Sequence, residues 1–353
     1  MDTAENADSE PHDEAIESNS DYLYSGFWRR VIAYFTDSIL IGTLGLLIGF
    51  SFIDYFLSIG QTGRFFGLAV YLGYFGILNS KIGNGQTLGK RWLDIKVVDG
   101  RGVPLDPLKS LGRQTIIALP IFSNGLNLGP ASNSLIVGWL LSISIFVIGG
   151  LTFYLLVFNR ATRRCLHDYV CDSHVVKVAP DKNTIKESAL WKGHFAIFGS
   201  IVVIAIAVAS WFGVWVTKNF DLTQVTALYE KLSEQDNISV AGVNLNRQTR
   251  HSNGQTMERT ILAITAYSPH PLKSKERYVM DVVKILLEEE EPLPESDVIT
   301  VHIGWGFDLG IAKYNTISTV SGTPSGWKTA HQDYSSSGTP PEIQFSTKTS
   351  IRF

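Results

Sequence analysis

Two residues of opposite charge lie near the start of an otherwise apolar segment, SGFWRRVIAYFTDSILIG at positions 25–42. The step of seven residues from Arg30 to Asp37 covers almost two helical turns, so both side chains share one helix face but stand about 10.5 Å apart along its axis. They are therefore too far apart to neutralise each other. Since a charge at the bilayer centre costs at least ~2.5 kcal/mol, each residue needs another partner or a watery cavity.

Two charged residues further along the chain are candidate partners. Arg113, at the start of the segment LGRQTIIALPIFSNGLNLGP, is the candidate for Asp37, and Asp168 in a later basic connection is the candidate for Arg30. A carboxylate at Asp37 that faces a cavity is suited to exchange a proton or bind a small cation. In the alternative, Arg30 extends to the membrane interface and Asp37 forms a structural pair with Arg113.

The elements that position these charges are apolar and long. The chain of 353 residues is 45% hydrophobic and only 18% charged, which is unusual for a soluble globular protein. The apolar runs that end near 158 and 216 are long enough to cross ~30 Å of hydrocarbon. We therefore expect an α-helical integral membrane protein.

Basic residues are concentrated in two connections, within 81–113 and 160–192, and the positive-inside rule predicts that both face the cytoplasm. An even number of crossings must then separate them, so the weakly apolar segment interrupted at Pro120 is expected to be a short or kinked helix. The sequence predicts about five transmembrane segments with a cytoplasmic N-terminus. They are expected near 31–53, 64–79, 113–127, 134–158 and 194–216.

The flanking regions differ from the membrane part in composition. The first 21 residues contain eight acidic residues and no Lys or Arg, which predicts a disordered tail over 1–24 without a secretory signal. After a linker and the last helix, over 179–217, residues 218–353 have a soluble composition. Their pattern predicts an extracytoplasmic α+β domain in the order α-β-β-α-β-β, ending in a Ser/Thr/Gly/Pro-rich loop or tail from Gly322.

Four stretches carry a resemblance to a known family. Arg30-x-x-Ala33-x-x-x-Asp37, GQTLGKRWLDIKVVDGRGVPL at 85–105, Arg113, and RRCLHDYVCDSHVVKV at 163–178 are similar to the RDD family of membrane proteins, over residues 25–178. The resemblance implies an RDD membrane module, for which cation/proton antiport has been proposed in some members. Its namesake positions match Arg30, Asp37 and Asp168, and accompanying motif positions match Gly89, Lys90, Arg113 and His167.

Other groups of reactive residues have weaker patterns. His167 next to Asp168 is either a pH-sensitive switch or a local hydrogen-bonded turn. Cys165, His167, Cys171 and His174 lie closer together than the usual zinc-ligand pairs, and the segment GNGQTLGK has the wrong glycine spacing for a phosphate loop. We therefore expect no metal, no cofactor, no catalytic residue and no enzyme activity. The segment IKVVDGRGVP is expected to form a short hairpin under the membrane.

Two functions remain open at this point. The first is an inner-membrane protein that moves a small cation or proton through its charged helix bundle. The alternative is a noncatalytic membrane scaffold whose outer domain, residues 218–353, recognises a protein partner. In both, the lipid bilayer is the immediate environment and no nucleic acid is expected as a partner.

Overall fold

The computed structural model describes residues 24–126, 134–178, 190–219, 223–238, 240–252, 255–268, 272–287 and 296–352. Nearly all of the segment that we predict as an acidic tail lies outside these residues. Part of the linker over 179–217 lies outside them as well.

Helices form the first two thirds of the described chain. Three of them, Phe27–Ser51, Leu135–Phe158 and Gly193–Asn219, are long and apolar enough to cross a membrane. The third of these spans has no buried residue, whereas the first is buried along one face. The bounds of the helices in this part are α1 Phe27–Ser51, α2 Ile53–Ile59, α3 Gly63–Leu78, α4 Leu88–Trp92, α5 Pro107–Ser123, α6 Leu135–Ser142, α7 Gly150–Phe158, α8 Leu166–Val170 and α9 Gly193–Asn219. A π-helical segment, Ile143–Gly149, joins α6 to α7.

The two shorter helices α3 and α5 pack against each other. They have 16 and 17 residues, fewer than the roughly 20 that a perpendicular crossing requires, so helix length does not confirm the predicted count of five spans. Helix α5 begins six residues before the expected start at 113, because Pro107 occupies its first turn, where a missing N–H costs nothing. Its buried face is polar near Arg113 and apolar near Phe122.

The expected hairpin at IKVVDGRGVP does not form. Strand β1, Ile95–Asp99, instead pairs antiparallel with β2, Ser173–Lys177, so that Val97 lies opposite Val175. The buried residues Ile95, Val97 and Val175 give this two-stranded sheet an apolar face against α1. A partner 78 residues away in the chain replaces the local one because it buries this face. Both basic connections therefore meet at one end of the helix bundle.

The C-terminal domain is an α+β unit built on one sheet. Its helices are α10 Thr223–Ser233, α11 Lys275–Leu287 and α12 Pro324–Ser337, and its strands are β3 Val240–Ser252, β4 Gln255–Tyr267, β5 Val298–Asp308, β6 Lys313–Gly322 and β7 Ser346–Arg352. The strand order is β3-β4-β5-β6-β7, in which only β4 and β5 run parallel. Helix α11 supplies much of the apolar core, including Val279, Met280 and Val283.

The expected loop or tail after Gly322 is wrong in part, because α12 and β7 lie within it. Thr323 caps α12 by accepting a hydrogen bond from the Gly326 amide (3.1 Å), and Gly338 ends the helix with φ +67°. Trp327 on α12 is buried and donates to the Ile299 carbonyl (3.1 Å). Trp327, together with the partly buried Ala330 and Tyr334, thus attaches a polar segment to the core.

Candidate functional site

Asp37 is fully buried and accepts three hydrogen bonds from protein groups. The donors are the Tyr74 hydroxyl (2.6 Å), the Thr87 hydroxyl (2.5 Å) and the Gly89 amide (2.7 Å). Tyr74 lies on α3, while Thr87 and Gly89 lie at the start of α4. The carboxylate therefore connects α1 to two other helices. The candidate pair between Asp37 and Arg113 is wrong, since Arg113 bonds elsewhere.

The small residues of the motif permit this arrangement. A Cβ atom on Gly89 would lie 2.3 Å from the Ala33 carbonyl oxygen and 3.0 Å from the Asp37 carboxyl carbon. Only glycine lets α4 approach α1 so closely. Ala33 itself is fully buried, with no exposed surface. Gly89 and Ala33 therefore let α4 lie close enough to α1 for the Gly89 amide to donate to Asp37.

Asp168 lies between two arginines from different helices. Its Oδ1 atom accepts from Arg113 Nη2 (2.8 Å) and Nε (3.0 Å), and Oδ2 lies 3.6 Å from Arg30 Nη1. The Ser173 hydroxyl (2.9 Å) and the Cys165 amide (3.1 Å) also donate to this carboxylate. The candidate pair of Arg30 with Asp168 is thus present in the structure. It joins α1, α5 and α8 to the start of β2.

Arg30 is buried rather than extended to an interface. Its guanidinium donates to three backbone carbonyls, those of Thr162 (3.1 Å), Arg163 (2.5 Å) and Val175 (3.1 Å). Its side chain is only 8% exposed. These bonds attach the start of α1 to the loop before α8 and to β2. We call the region formed by Arg30, Asp37, Arg113, Asp168 and the residues bonded to them the charged end of the bundle.

The electrostatics of Asp168 and His167 follow from burial and from the arginines. Burial alone would raise the pKa of Asp168, but Arg113 and Arg30 hold that pKa well below its usual value. Burial lowers the pKa of His167 to about 3, so the imidazole is neutral near pH 7. Its Nδ1 atom is buried without a partner among the described residues. This geometry does not support a His167 switch near neutral pH.

The thiol of Cys165, the His167 ring and the Asp168 carboxylate come within 4.8 Å of one another. Metal binding requires a thiolate, yet burial raises the pKa of Cys165 to about 12. The Asp168 oxygens are already bonded to guanidinium groups, whose charge repels a cation. This donor set fits a metal poorly. Cys171 and His174, the other two members of the set considered for zinc, do not join it.

Lys90 occupies a different environment from the other motif residues. Its ammonium donates to the Asn79 side-chain oxygen (2.6 Å) at the end of α3. No ion pair to Lys90 is found among the described residues. Burial, followed by the nearby charge of Arg113, lowers the pKa of Lys90 to about 7. Three polar atoms are buried without partners among the described residues: the side-chain nitrogens of Asn79 and Gln114 and the hydroxyl of Ser110.

The opposite end of the bundle receives a hairpin from the C-terminal domain. The turn between β5 and β6 is Leu309-Gly310-Ile311-Ala312, and the Leu309 amide donates to the Ala312 carbonyl (2.9 Å). Phe307, Leu309 and Ile311 are buried in one cluster with Ile41, Tyr71 and Phe122 from α1, α3 and α5. We call this region the hairpin end. Sequence analysis gave no indication of it, since the hairpin lies more than 180 residues beyond these helices.

Glycines in α1 and α3 form the groove for this hairpin. A Cβ atom on Gly67 would lie 1.7 Å from the Leu309 carbonyl oxygen, and one on Gly49 would lie 2.3 Å from the Phe307 ring. Gly45 and Gly63 also face the turn at close range. The hairpin backbone can therefore lie directly against the two helices.

One buried ion pair accompanies the apolar contacts. Arg64 at the start of α3 donates to Asp308 (2.8 Å) and to the carbonyls of Phe122 and Asn124 (both 2.9 Å) at the end of α5. Lys313 also approaches Asp308, at 3.3 Å. Arg64 is the only basic residue between α1 and the end of α3. Neither its burial nor its distant partner had a local signal.

Most of the charged end lies within a match to a known family. The model of the RDD family matches residues 24–172, which include Arg30, Asp37, Arg113 and Asp168. No match was found among curated proteins or among solved structures. The α+β domain lies outside the family match. Residues 24–172 therefore match the RDD family of membrane proteins, and a sheet-rich C-terminal domain follows later in the chain.

Proposed function

We propose that the protein is a noncatalytic membrane scaffold in which the RDD domain holds the C-terminal domain as a recognition module. The observation that carries this proposal is the hairpin Phe307–Ala312 buried between α1, α3 and α5. A domain attached only through α9 would move freely relative to the other helices. The hairpin instead fixes the orientation of the sheet on the bundle.

The charged end supports a structural role for its carboxylates. Asp37 and Asp168 are each bonded to several protein donors and have no exposed surface. A carboxylate that carries a substrate ion must exchange these bonds for others in each cycle. Breaking such a buried network is costly, at ~3–5 kcal/mol for a buried ion pair.

The proposed location is the inner membrane, with the C-terminal domain on the extracytoplasmic side. Two observations support it. The basic connections, which favour the cytoplasm, pair as β1 and β2 at the charged end, and the hairpin contacts the opposite end of the same helices. The proposed topology has five crossings, in which α3 and α5 also cross.

Cysteine labelling tests this topology in a background without Cys165 and Cys171. We expect Ser335→Cys, at an exposed position of α12, to react with a membrane-impermeant maleimide in intact cells. Arg101→Cys, in the turn after β1, is expected to react only after the inner membrane is opened. The reverse pattern would show that the domain is cytoplasmic.

Partner capture tests the scaffold function. Tagged full-length protein, solubilised gently from native membranes, is expected to retain a soluble protein bound to the C-terminal domain. Deletion of residues 218–353 should remove this protein while leaving a membrane partner of the RDD domain in place. If the full-length protein enriches no protein over an empty-vector control, the proposal fails.

Movement of a small cation or proton is the second candidate function, and the environment of Lys90 favours it. A partly buried amine whose pKa lies near 7 can gain and lose a proton at physiological pH. The side-chain nitrogen of Asn79, the residue bonded to Lys90, has no partner among the described residues, and neither do the polar atoms of Ser110 and Gln114 on α5. Water or an ion would satisfy such groups. Asp37 accompanies Lys90 in this pathway.

A fluorescence assay of ΔpH in everted membrane vesicles tests this candidate. Addition of Na⁺, Li⁺ or K⁺ is expected to dissipate ΔpH with the wild type but not with Asp37→Asn or Lys90→Met. Lys96→Met, on the partly exposed side of β1, is the matched control and should behave as the wild type. If no variant differs from the wild type, the charged end is structural.

A further inference from the structure

A cavity of about 400 Å³ lies beside the hairpin, between the C-terminal sheet and the membrane bundle. One wall is the end of α2 and its connection to α3, at 58–62, and the other consists of the ends of β4, β5 and β6. This volume is near the lower limit of the roughly 300–1,000 Å³ typical of small-molecule pockets. It suits a solute of monosaccharide size, and its ligand would contact both domains.

The charges at the cavity favour an anionic group. Lys313 and Asp308 both line it, and the Asp308 carboxylate also binds Arg64 from behind. One carboxylate thus faces two cations, which leaves one positive charge in excess. The Lys313 side chain is 44% exposed and the Arg64 side chain 10%, so Lys313 is the accessible cation. No other charged side chain is found among the described residues that line the cavity.

Several polar groups that line the cavity are hydrogen-bond acceptors. The Asn315 side-chain nitrogen donates to the Tyr267 hydroxyl (2.9 Å), and its Oδ1 atom is buried without a partner among the described residues. The hydroxyls of Ser58 and Thr62 donate to backbone carbonyls of their own turns (both 2.7 Å), so their oxygens remain as acceptors. A ligand that satisfies these groups must bring donors such as hydroxyls.

Aromatic residues supply the remaining surface. Tyr267, Phe307 and Tyr314 line the same cavity, and aromatic rings offer a large apolar surface that can carry a polar substituent. A ring with an apolar face and hydroxyls at its edge fits this combination. We propose that the cavity binds a small polyhydroxylated carboxylate, a sugar acid of monosaccharide size. This inference rests on the proposed function, because it names the ligand class of the recognition module.

Calorimetric titration of the full-length protein in lipid nanodiscs tests the inference with three probes of the same size. D-glucuronate provides hydroxyls and a carboxylate, D-glucose provides hydroxyls alone, and D-glucosamine carries a positive charge. We expect saturable binding of glucuronate, with glucose weaker by about tenfold or more and no binding of glucosamine. The absence of saturable glucuronate binding, or binding of glucosamine at equal strength, overturns the inference.

Two substitutions test the roles of the residues. Lys313→Gln should weaken glucuronate binding by about tenfold, while Lys313→Arg retains it. Asn315→Leu removes the unpartnered acceptor without a change in charge and should weaken glucuronate and glucose alike. Lys348→Gln, at an exposed position on β7, is the matched control and should bind as the wild type does. Binding unchanged by both Lys313→Gln and Asn315→Leu overturns the inference.

This titration needs no protein partner, so its outcome is separate from that of the capture experiment. If glucuronate fails to bind while a soluble partner is still captured, only the ligand class is wrong. If glucuronate binds while no partner is captured, the cavity inference stands and the scaffold function fails.

Discussion

The charged end and the hairpin end hold the same three helices together by different means. At the charged end, Asp37 and Asp168 bind donors from α1, α3, α4 and α5, which lie within the family match, and the Ser173 hydroxyl just beyond it. At the hairpin end, apolar side chains from outside the match fill a groove of glycines, with one ion pair. The comparison shows that buried polar bonds join the helices at one end, whereas at the other end the helices offer an apolar groove to a segment from another domain.

Asp168→Asn should have the largest effect on the bundle. The substitution leaves Arg30 and Arg113 buried without their shared carboxylate, a change that typically costs ~3–5 kcal/mol. We expect a fall of this order in the free energy of unfolding, measured by denaturant titration in detergent. Asp172→Asn is the control, because the Asp172 side chain is 61% exposed. Equal stability of Asp168→Asn and the wild type would contradict a structural role.

Gly67→Leu should open the hairpin end while leaving the charged end intact. Its side chain would collide with the Leu309 backbone, and such overpacking costs ~1–3 kcal/mol. Hydrogen exchange is expected to become faster at Leu309–Ala312 but not at β1 and β2. Gly73→Leu is the control on the same helix, since a Cβ atom there meets nothing within 4 Å. Equal exchange in the two variants would mean that the hairpin is not seated in the groove.

Asp308→Asn should lower the free energy of unfolding less than Asp168→Asn does. The difference between the two losses measures how far the two ends depend on their ion pairs. Arg64 retains its bonds to the carbonyls of Phe122 and Asn124, so the expected loss is that of one charged hydrogen bond, about 1.5–3 kcal/mol. Hydrogen exchange of the hairpin and denaturant titration measure this loss. A cost as large as that of Asp168→Asn would show that the ion pair, rather than the apolar contacts, holds the hairpin.

Acidification should weaken the charged end before the hairpin end. Because the folded-state pKa of His167 is lowered to about 3, the unfolded chain takes up a proton first, and stability falls as the pH drops from 6.5 towards 3. The slope for one histidine is at most ~1.4 kcal/mol per pH unit. Hydrogen exchange at pH 6 and pH 5 should show this change at β2, and His167→Gln should reduce it. The turn Leu309–Ala312 contains no histidine.

Sequence patterns predicted the helices of the membrane part better than they predicted which side chains bond to one another. The family resemblance was confirmed over residues 24–172, and three long apolar helices are present. The pairing of Asp37 with Arg113 was wrong because helix periodicity gives a face but does not say which loop residue reaches it. Thr87 and Tyr74, the actual donors to Asp37, are neutral residues in apolar or turn-forming surroundings, and a search for charged residues does not find them.

The C-terminal region shows a second limit of sequence patterns. Helix α12 has an N-terminal cap at Thr323 and a C-terminal glycine at Gly338. These residues indicate a helix, but the polar composition of the segment led to the prediction of a loop or tail. The hairpin end had no local signal at all, because Phe307–Ala312 resembles any buried strand end. The hairpin packs against glycines of α1 and α3. From one sequence alone, a glycine that allows close contact with another backbone cannot be told from a glycine that bends a helix.

The Arg64–Asp308 pair imposes an order of events during synthesis. Its two residues are 244 positions apart, and at ~5–20 residues per second the ribosome needs roughly 10–50 s to reach the second after the first. During this interval α1 and α3 are already synthesised while the groove of glycines lacks its hairpin. The nascent bundle must therefore persist with Arg64 bonded only to the carbonyls of Phe122 and Asn124 until Asp308 has been made.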